Sequence, residues 1–198
     1  MASDCSVQLP TVTDWFAEPA EEDLCARLAR GEVEAVGATY DLHHRAVRAF
    51  ARRLLGDESQ AEDLVHEVFI ALPRAMTRFR GESSLRTFLL SIASNLSRRH
   101  LRSARRRRAA QERLSLEPLA SPTNPEDATG RSELARRLTA ALDRLGDEHR
   151  LAFVLCEVEE RSSPEVSQIL GIPEGTVRTR LFHAKQKLRT FLSQEHTP

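Results

Sequence analysis

A single break between two helices does most to limit the folds open to this chain. From Ile169 to Leu188 the sequence runs Ile-Leu-Gly-Ile-Pro-Glu-Gly-Thr-Val-Arg-Thr-Arg-Leu-Phe-His-Ala-Lys-Gln-Lys-Leu. The spacing predicts a short helix ending at Leu170, with Gly171 as its left-handed cap. Pro173 then falls in the first turn of the next helix, where its missing N–H costs nothing. Val177, Leu181, Ala184 and Leu188 recur at three- and four-residue spacing as an inward stripe, and Arg178, Arg180, Lys185 and Lys187 take the opposite face. Two helices joined by so tight a turn form a helix-turn-helix. A basic face at the start of its second helix suits the DNA major groove, where phosphates and guanine edges accept hydrogen bonds from Arg and Lys. A solvated amphipathic helix is the plainer alternative.

Elsewhere strand-like alternation is absent and apolar residues follow a helical period, so the expected fold is all-α: two small helical domains joined by a flexible linker. Helices are expected over roughly 21–30, 33–55 and 59–75, and from about Leu85 into an arginine run, then over about 132–144, 147–160, 163–170 and 174–192. Ser59 with Glu62, and Ser162 with Glu165, have capping-box spacing, and Gly56 closes the second helix. From Leu116 to Thr129 the composition changes, with Pro118, Pro122 and Pro125 among Ser, Thr, Asn, Glu and Asp, which reads as an extended acidic tether. The expected divisions are a disordered N-terminus over 1–20, a domain over 21–108, a linker over 109–131, a second domain over 132–192 and a tail over 193–198. Each core should be modest, and the linker should leave the domains free to reorient.

A formal net charge of zero conceals strong segregation. The only lysines are Lys185 and Lys187, while Arg98, Arg99, Arg102 and Arg105 to Arg108 crowd one segment, and Asp14 to Asp23 and Glu117 to Glu133 are acidic. The whole-chain balance therefore says little about nucleic acid, and the local patches must be read instead. Cys5, Cys25 and Cys156 lack any CxxC spacing. They argue against a disulfide framework or zinc site and suit a reducing cytosol, with Cys156 expected as a small buried hydrophobe. No apolar run approaches the roughly 18 residues of a membrane span, and the N-terminus is not signal-like, so a cytoplasmic protein without membrane insertion is expected.

Two separated segments resemble one family. Ala61 to Ile70 (Ala-Glu-Asp-Leu-Val-His-Glu-Val-Phe-Ile), followed by Phe79 to Leu96, resembles region 2 of the extracytoplasmic-function, or group-four, sigma factors of the sigma-70 family. Leu145 to Leu188 looks like their region 4, which ends in a helix-turn-helix. The order is that of the family, with the third-region domain of larger sigma factors missing. The resemblance implies a non-enzymatic subunit that binds RNA polymerase core, recognises minus-thirty-five and minus-ten promoter elements and nucleates melting, with no cofactor or metal. It also implies an anti-sigma factor as a partner. The acidic linker would thread a basic channel of the polymerase.

Residue by residue, the resemblance assigns Glu62, Asp63, His66 and Glu67 to polymerase docking. Val65, Val68, Phe69 and Leu72 can form the buried stripe of that helix, leaving the four as an outward acidic strip. Phe79, Arg86, Asn95, Arg98, Arg99 and Arg102 would handle minus-ten DNA, since single strands need π surfaces and positive charge, and an amide can donate to and accept from a base edge. Phe79 and Phe88 could equally be core, and for Phe88 core is favoured. Arg178, Thr179, Arg180, Phe182 and His183 would read the minus-thirty-five element, with Phe182 open between core and DNA and His183 standing where Arg is common. Glu160-Arg-Ser-Ser-Pro-Glu165 stands where the family usually shows a Gly-Leu-Ser-Tyr stretch; the capping Ser is kept but the aromatic is gone, which puts the local packing in doubt.

Two rivals compete. A stand-alone helix-turn-helix regulator explains 169–188 but gives the acidic strip and the 79–95 segment no task. A metal-dependent nuclease could place Glu62, Asp63, His66 and Glu67 around a divalent ion, but no second ligand cluster or phosphate-binding loop accompanies them. His43 and His44 diverge by about 100° on a helix and cannot readily share a metal.

Overall fold

The computed structural model describes residues 18–114 and 140–194. Every regular element among them is a helix. The first half contains α1 (Glu18–Ala29), α2 (Val33–Leu55), α3 (Glu58–Met76) and α4 (Leu85–Leu114). The second begins with the end of a helix over 140–143 and continues through α5 (Asp147–Phe153), a π-helical turn (Val154–Val158), α6 (Ser163–Leu170) and α7 (Glu174–Gln194). No helix among the described residues is long and apolar enough to cross a membrane. Residues 1–17, 115–139 and 195–198 lie outside the description, and with them most of the segments read as N-terminus, linker and tail.

Local chemistry sets the helix ends. Gly56 closes α2 in the left-handed region at φ 70°, with its N–H bonded to the Arg52 carbonyl. The cap of α3 is a correction: Asp57, rather than Ser59, precedes the helix, and its carboxylate accepts the Gln60 N–H at 2.9 Å. Asp and Ser are comparable caps, so two neighbouring candidates leave the choice to chain direction. Ser84 Oγ accepts the Thr87 N–H at the start of α4. The Ser162–Glu165 capping box forms as expected, with Pro164 in the first turn of α6. α4 runs past the arginine run to Leu114.

The helical stripes meet in one interior. Val47, Phe50 and Leu54 of α2 pack against Leu64, Val68 and Leu72 of α3 and Leu85, Leu89 and Ala93 of α4. The same continuous cluster takes in Leu151 of α5, Val154 and Leu155 of the π turn, Val166, Ile169 and Leu170 of α6, and Val177 of α7. A second cluster joins Ala141, Leu142 and Leu145 to Ala184 and Leu188 of α7. The two halves were expected to reorient freely, yet here they share a core, with α4 lying against α5 and α6. Burying a leucine contributes about 1.5–3 kcal/mol, so small domains with modest cores of their own gain from pooling apolar faces.

Candidate nucleic-acid and protein interfaces

α3 turns Val65, Val68, Phe69 and Leu72 inward and leaves Asp63 and His66 exposed. The other two members of the expected strip are tied to neighbours. Glu62 pairs with Arg48 of α2, and Glu67 accepts from Arg99 at 2.6 Å and lies 3.3 Å from His100 Nε2, both on α4. The four side chains therefore do not converge on one point, and among the described residues no group of His, Cys, Asp and Glu is arranged to hold a metal. One residue on this face escaped the sequence reading. Ile70 is 78% exposed, seven positions after Asp63 on the same helical face. An apolar residue lying outside the buried stripe was the available signal.

On α4 the loop before the helix passes through Gly81 at φ 73°. Phe79 and Phe88 stand on either side of it, half-buried, with ring centroids 4.9 Å apart. Both pack on the core. Arg86 and Arg102 are exposed. Asn95 is also exposed, and its Oδ1 accepts from Arg98 Nη1 at 2.9 Å. Arg98 in turn reaches Glu148 in the first turn of α5 at 3.1 Å.

The helix-turn-helix is α6 and α7. Gly171 caps α6 at φ 64° as expected. The turn is fastened twice: Ile172 donates its N–H to the Ser167 carbonyl at 3.2 Å, and Ser167 Oγ donates to the Ile172 carbonyl at 2.6 Å. Along α7, Val177, Ala184 and Leu188 are buried. Arg178, Thr179, Phe182 and His183 are exposed, and Phe182, at 65%, belongs to the surface rather than the core. Arg178 pairs with Glu174 one turn back, and Thr179 donates to the Gly175 carbonyl. Arg180 differs from these, being partly covered and paired with Glu148. Glu148, absent from the sequence reading, thus takes one arginine from α4 and one from α7. Its partners lie 50 and 32 positions away, too far for any local pattern to reveal.

His149, beside Glu148, meets His183 edge-on with centroids 6.2 Å apart. Burial, then the nearby charges of Lys187, His183 and Arg180, hold its imidazole below the usual value, against the pull of Glu148. The Ser162 hydroxyl and N–H, then Arg161, hold the Glu165 carboxyl below the usual range. Burial pushes the Cys156 thiol up, consistent with a half-buried packing residue.

Residues 39–107 match the family model for Sigma-70 region 2, and residues 135–188 that for Sigma-70, region 4. The chain is 35% identical over 193 residues to the ECF RNA polymerase sigma factor SigE of Mycolicibacterium smegmatis, an alignment covering 93% of this chain and 73% of that one. It is 29% identical over 182 residues to the RNA polymerase sigma-H factor of Pseudomonas aeruginosa, covering 87% and 94%. Among solved structures, CnrH in complex with the cytosolic domain of CnrY aligns with a TM-score of 0.61 at 23% identity, over 88% of this chain and 98% of that one. The sigma factor RpoE bound to the anti-sigma factor NepR, from Bartonella quintana, gives 0.57 at 24%, over 81% and 98%. At these identities the structural likeness concerns the fold.

Proposed function

The chain belongs to the extracytoplasmic-function sigma factors of the sigma-70 family, and from that premise we propose how its surfaces divide the work of binding RNA polymerase core, recognising a promoter and starting its melting. The observation that carries the division is the exposure, in one chain, of three separate faces: on α3, on α4 and on α7.

The α3 face docks on the polymerase. Asp63 and His66 supply exposed polar contacts and Ile70 an apolar anchor, an arrangement in which charge sets orientation and the desolvated side chain supplies affinity. Glu62 and Glu67 hold α3 in register with α2 and α4 and flank that face. The α4 face handles the minus-ten element. The Asn95 oxygen is engaged by Arg98, so its amide nitrogen is the group that reads a base edge. Phe79 offers ring surface for an unstacked base, and Arg86, Arg98, Arg99 and Arg102 neutralise phosphates. The α7 face enters the major groove at the minus-thirty-five element. Arg178 and Arg180 contact guanine edges or phosphates, Thr179 and His183 contact bases or backbone, and Phe182 packs against a thymine methyl.

A stand-alone helix-turn-helix regulator would leave residues 39–107 without a role. The protein works as an initiation factor rather than an enzyme, in the cytoplasm where its polymerase is. Both solved relatives named above are held by another polypeptide, and a comparable anti-sigma factor is expected for this chain. Of the linker expected over 109–131, residues 109–114 belong to α4, and residues 115–131 serve as the tether between the promoter-reading domains, acidic enough to lie in a basic polymerase channel.

Run-off transcription with purified core polymerase on a library of promoter fragments tests the reading. Initiation that depends on the added chain, yielding two spaced motifs, is expected. Duplex binding without initiation would overturn it. Asp63→Arg should abolish assembly with core while leaving helicity unchanged, and wild-type assembly by that variant would reject the α3 face.

A further inference from the structure

We infer that His149 is a positioning residue for minus-thirty-five recognition: its ring, on α5, fixes the plane of the His183 imidazole on α7 and so decides which base His183 prefers. The inference rests on the base-contacting role proposed above for His183, and it concerns residues of the second half alone.

An exposed histidine that meets a base needs its ring plane set by a neighbour. The torsion that turns an imidazole is broad, unlike the staggered torsions of aliphatic side chains, so a ring left alone presents its edge at many angles. It has only its ring nitrogens to offer, whereas an arginine spreads a rigid fork of donors. With histidine where arginine is common, discrimination depends on orientation.

Rings flank His183 on two sides. The His149 ring stands at 87° to it with centroids 6.2 Å apart, and the Phe182 ring at 70° with centroids 5.5 Å apart. Both distances fall in the range in which the positive edge of one ring seeks the face of another. Phe182 is 65% exposed and belongs to the same helix as His183, so it gives the imidazole no fixed reference. His149 does, being half-buried as the third residue of α5. A β-carbon at residue 146 would stand 3.4 Å from His149 Nδ1, so Gly146 leaves the ring its place at the head of that helix. Next to His149, Glu148 pairs with Arg180, one turn before His183, which ties α5 to α7 at this level.

Charge makes the arrangement sensitive to pH. α7 brings Lys187, His183 and Arg180 near His149, α5 contributes Glu148, and α4 sends Arg98 to the same carboxylate. Burial, then the α7 charges, hold the His149 imidazole below its usual value, so the ring is neutral near neutral pH and stacks without repulsion. A proton taken up as the pH falls puts a cation beside Lys187 and Arg180, and Glu148, already shared by two arginines, offers little compensation. The ring is then driven from its place, and the orientation of His183 goes with it.

Run-off transcription with core polymerase and the full chain, on promoters varied at each minus-thirty-five position, tests this. His183→Ala should lose about fivefold in discrimination at one position. His149→Ala should lose the same factor at the same position, and the double variant should be no worse than either, since residues acting through one contact do not add. His149→Phe keeps a ring edge without a titratable group and should restore the wild-type preference. Between about pH 8 and about pH 6 that preference should fall more steeply in the wild type than in His149→Phe. Should His149→Ala lose helicity, His149→Gln takes its place in the same comparison. The positioning role is overturned, with His183 kept as a reader, by wild-type discrimination in His149→Ala, by additive losses in the double variant, by an equal loss of transcription from every promoter, by failure of phenylalanine to restore the preference, or by parallel pH profiles. Unchanged discrimination in His183→Ala overturns the reader itself and the inference with it.

Discussion

Replacing Glu160 by glycine should stabilise this protein. Glu160 is the one non-glycine residue at positive φ among the described residues, at 54°. It ends the π turn, where the Glu159 N–H reaches back to Val154 and the Arg161 N–H to the Leu155 carbonyl at 3.0 Å. Three other helix ends in the chain reverse through the same region on glycine, at Gly31, Gly56 and Gly171. A residue with a Cβ in the left-handed region costs roughly 1–2 kcal/mol, and glycine gives back about 0.5–1 kcal/mol through its freer unfolded chain. Glu160 is exposed and makes no ion pair among the described residues to offset the strain. The net gain for Glu160→Gly is therefore about 0.5–1 kcal/mol, a rise in Tm of about 1–4 °C for a chain of this length. Thermal unfolding followed by circular dichroism at 222 nm measures it, with Glu160→Ala as the control that keeps the Cβ. If alanine stabilised as much as glycine, removal of a charge rather than relief of the backbone would be the cause, and the reasoning would fail.

Ser162→Ala removes the hydroxyl that accepts the Glu165 N–H, leaving the residue-162 N–H bonded to the Glu165 carboxylate, and should cost about 1 kcal/mol; an unchanged Tm would mean that the surviving bond, Pro164 and α6 packing set that helix start. Asn95→Ala should alter which minus-ten base is preferred in run-off assays on single-position promoter variants, and an unchanged preference would return Asn95 to a structural role. His149 is held below the value near 6.5 of an unfolded histidine, so the unfolded chain takes up a proton first. Stability is then full above about pH 6.5 and falls as the pH drops through it, so Tm should decline between pH 7.5 and 5.5 and His149→Gln should flatten that slope. Parallel slopes for the two proteins would dismiss His149 as the source.

The helix-turn-helix was legible because its signals are local and agree: Gly171 and Pro173 each fix one dihedral problem within a few residues. The buried stripe of α3 was legible for the same reason, as was the Ser162–Glu165 box. Asp57 and Ser59 show the limit of local signals, since each residue can accept an amide and only the path of the chain decides between them. Glu160 was hidden because a left-handed glutamate runs against the preference that sequence reading relies on; its departure from the family's glycine marked the place without giving the backbone. Glu62 and Glu67 were read as an outward strip from helical phase alone. Their arginine partners lie on α2 and α4, and no periodicity within α3 reports what a neighbouring helix offers. The union of the two halves into one core was likewise invisible, because an apolar face facing a foreign helix has the same pattern as one facing its own domain.

The double fastening between Ser167 and Ile172 turns the helix-turn-helix into a stiff elbow. α7 has 21 residues and is about 31 Å long at 1.5 Å per residue, a lever fixed at one end. A tilt of about 5° at the elbow swings its far end by almost 3 Å, about the whole length of a hydrogen bond. Side chains near the pivot, Arg178 and Thr179, are displaced little by such play, whereas Lys185 and Lys187 farther out move more. In the promoter-reading role proposed for α7, base discrimination would fall to the residues with the smallest mechanical error, and the outer lysines would suit phosphates, whose field forgives misplacement.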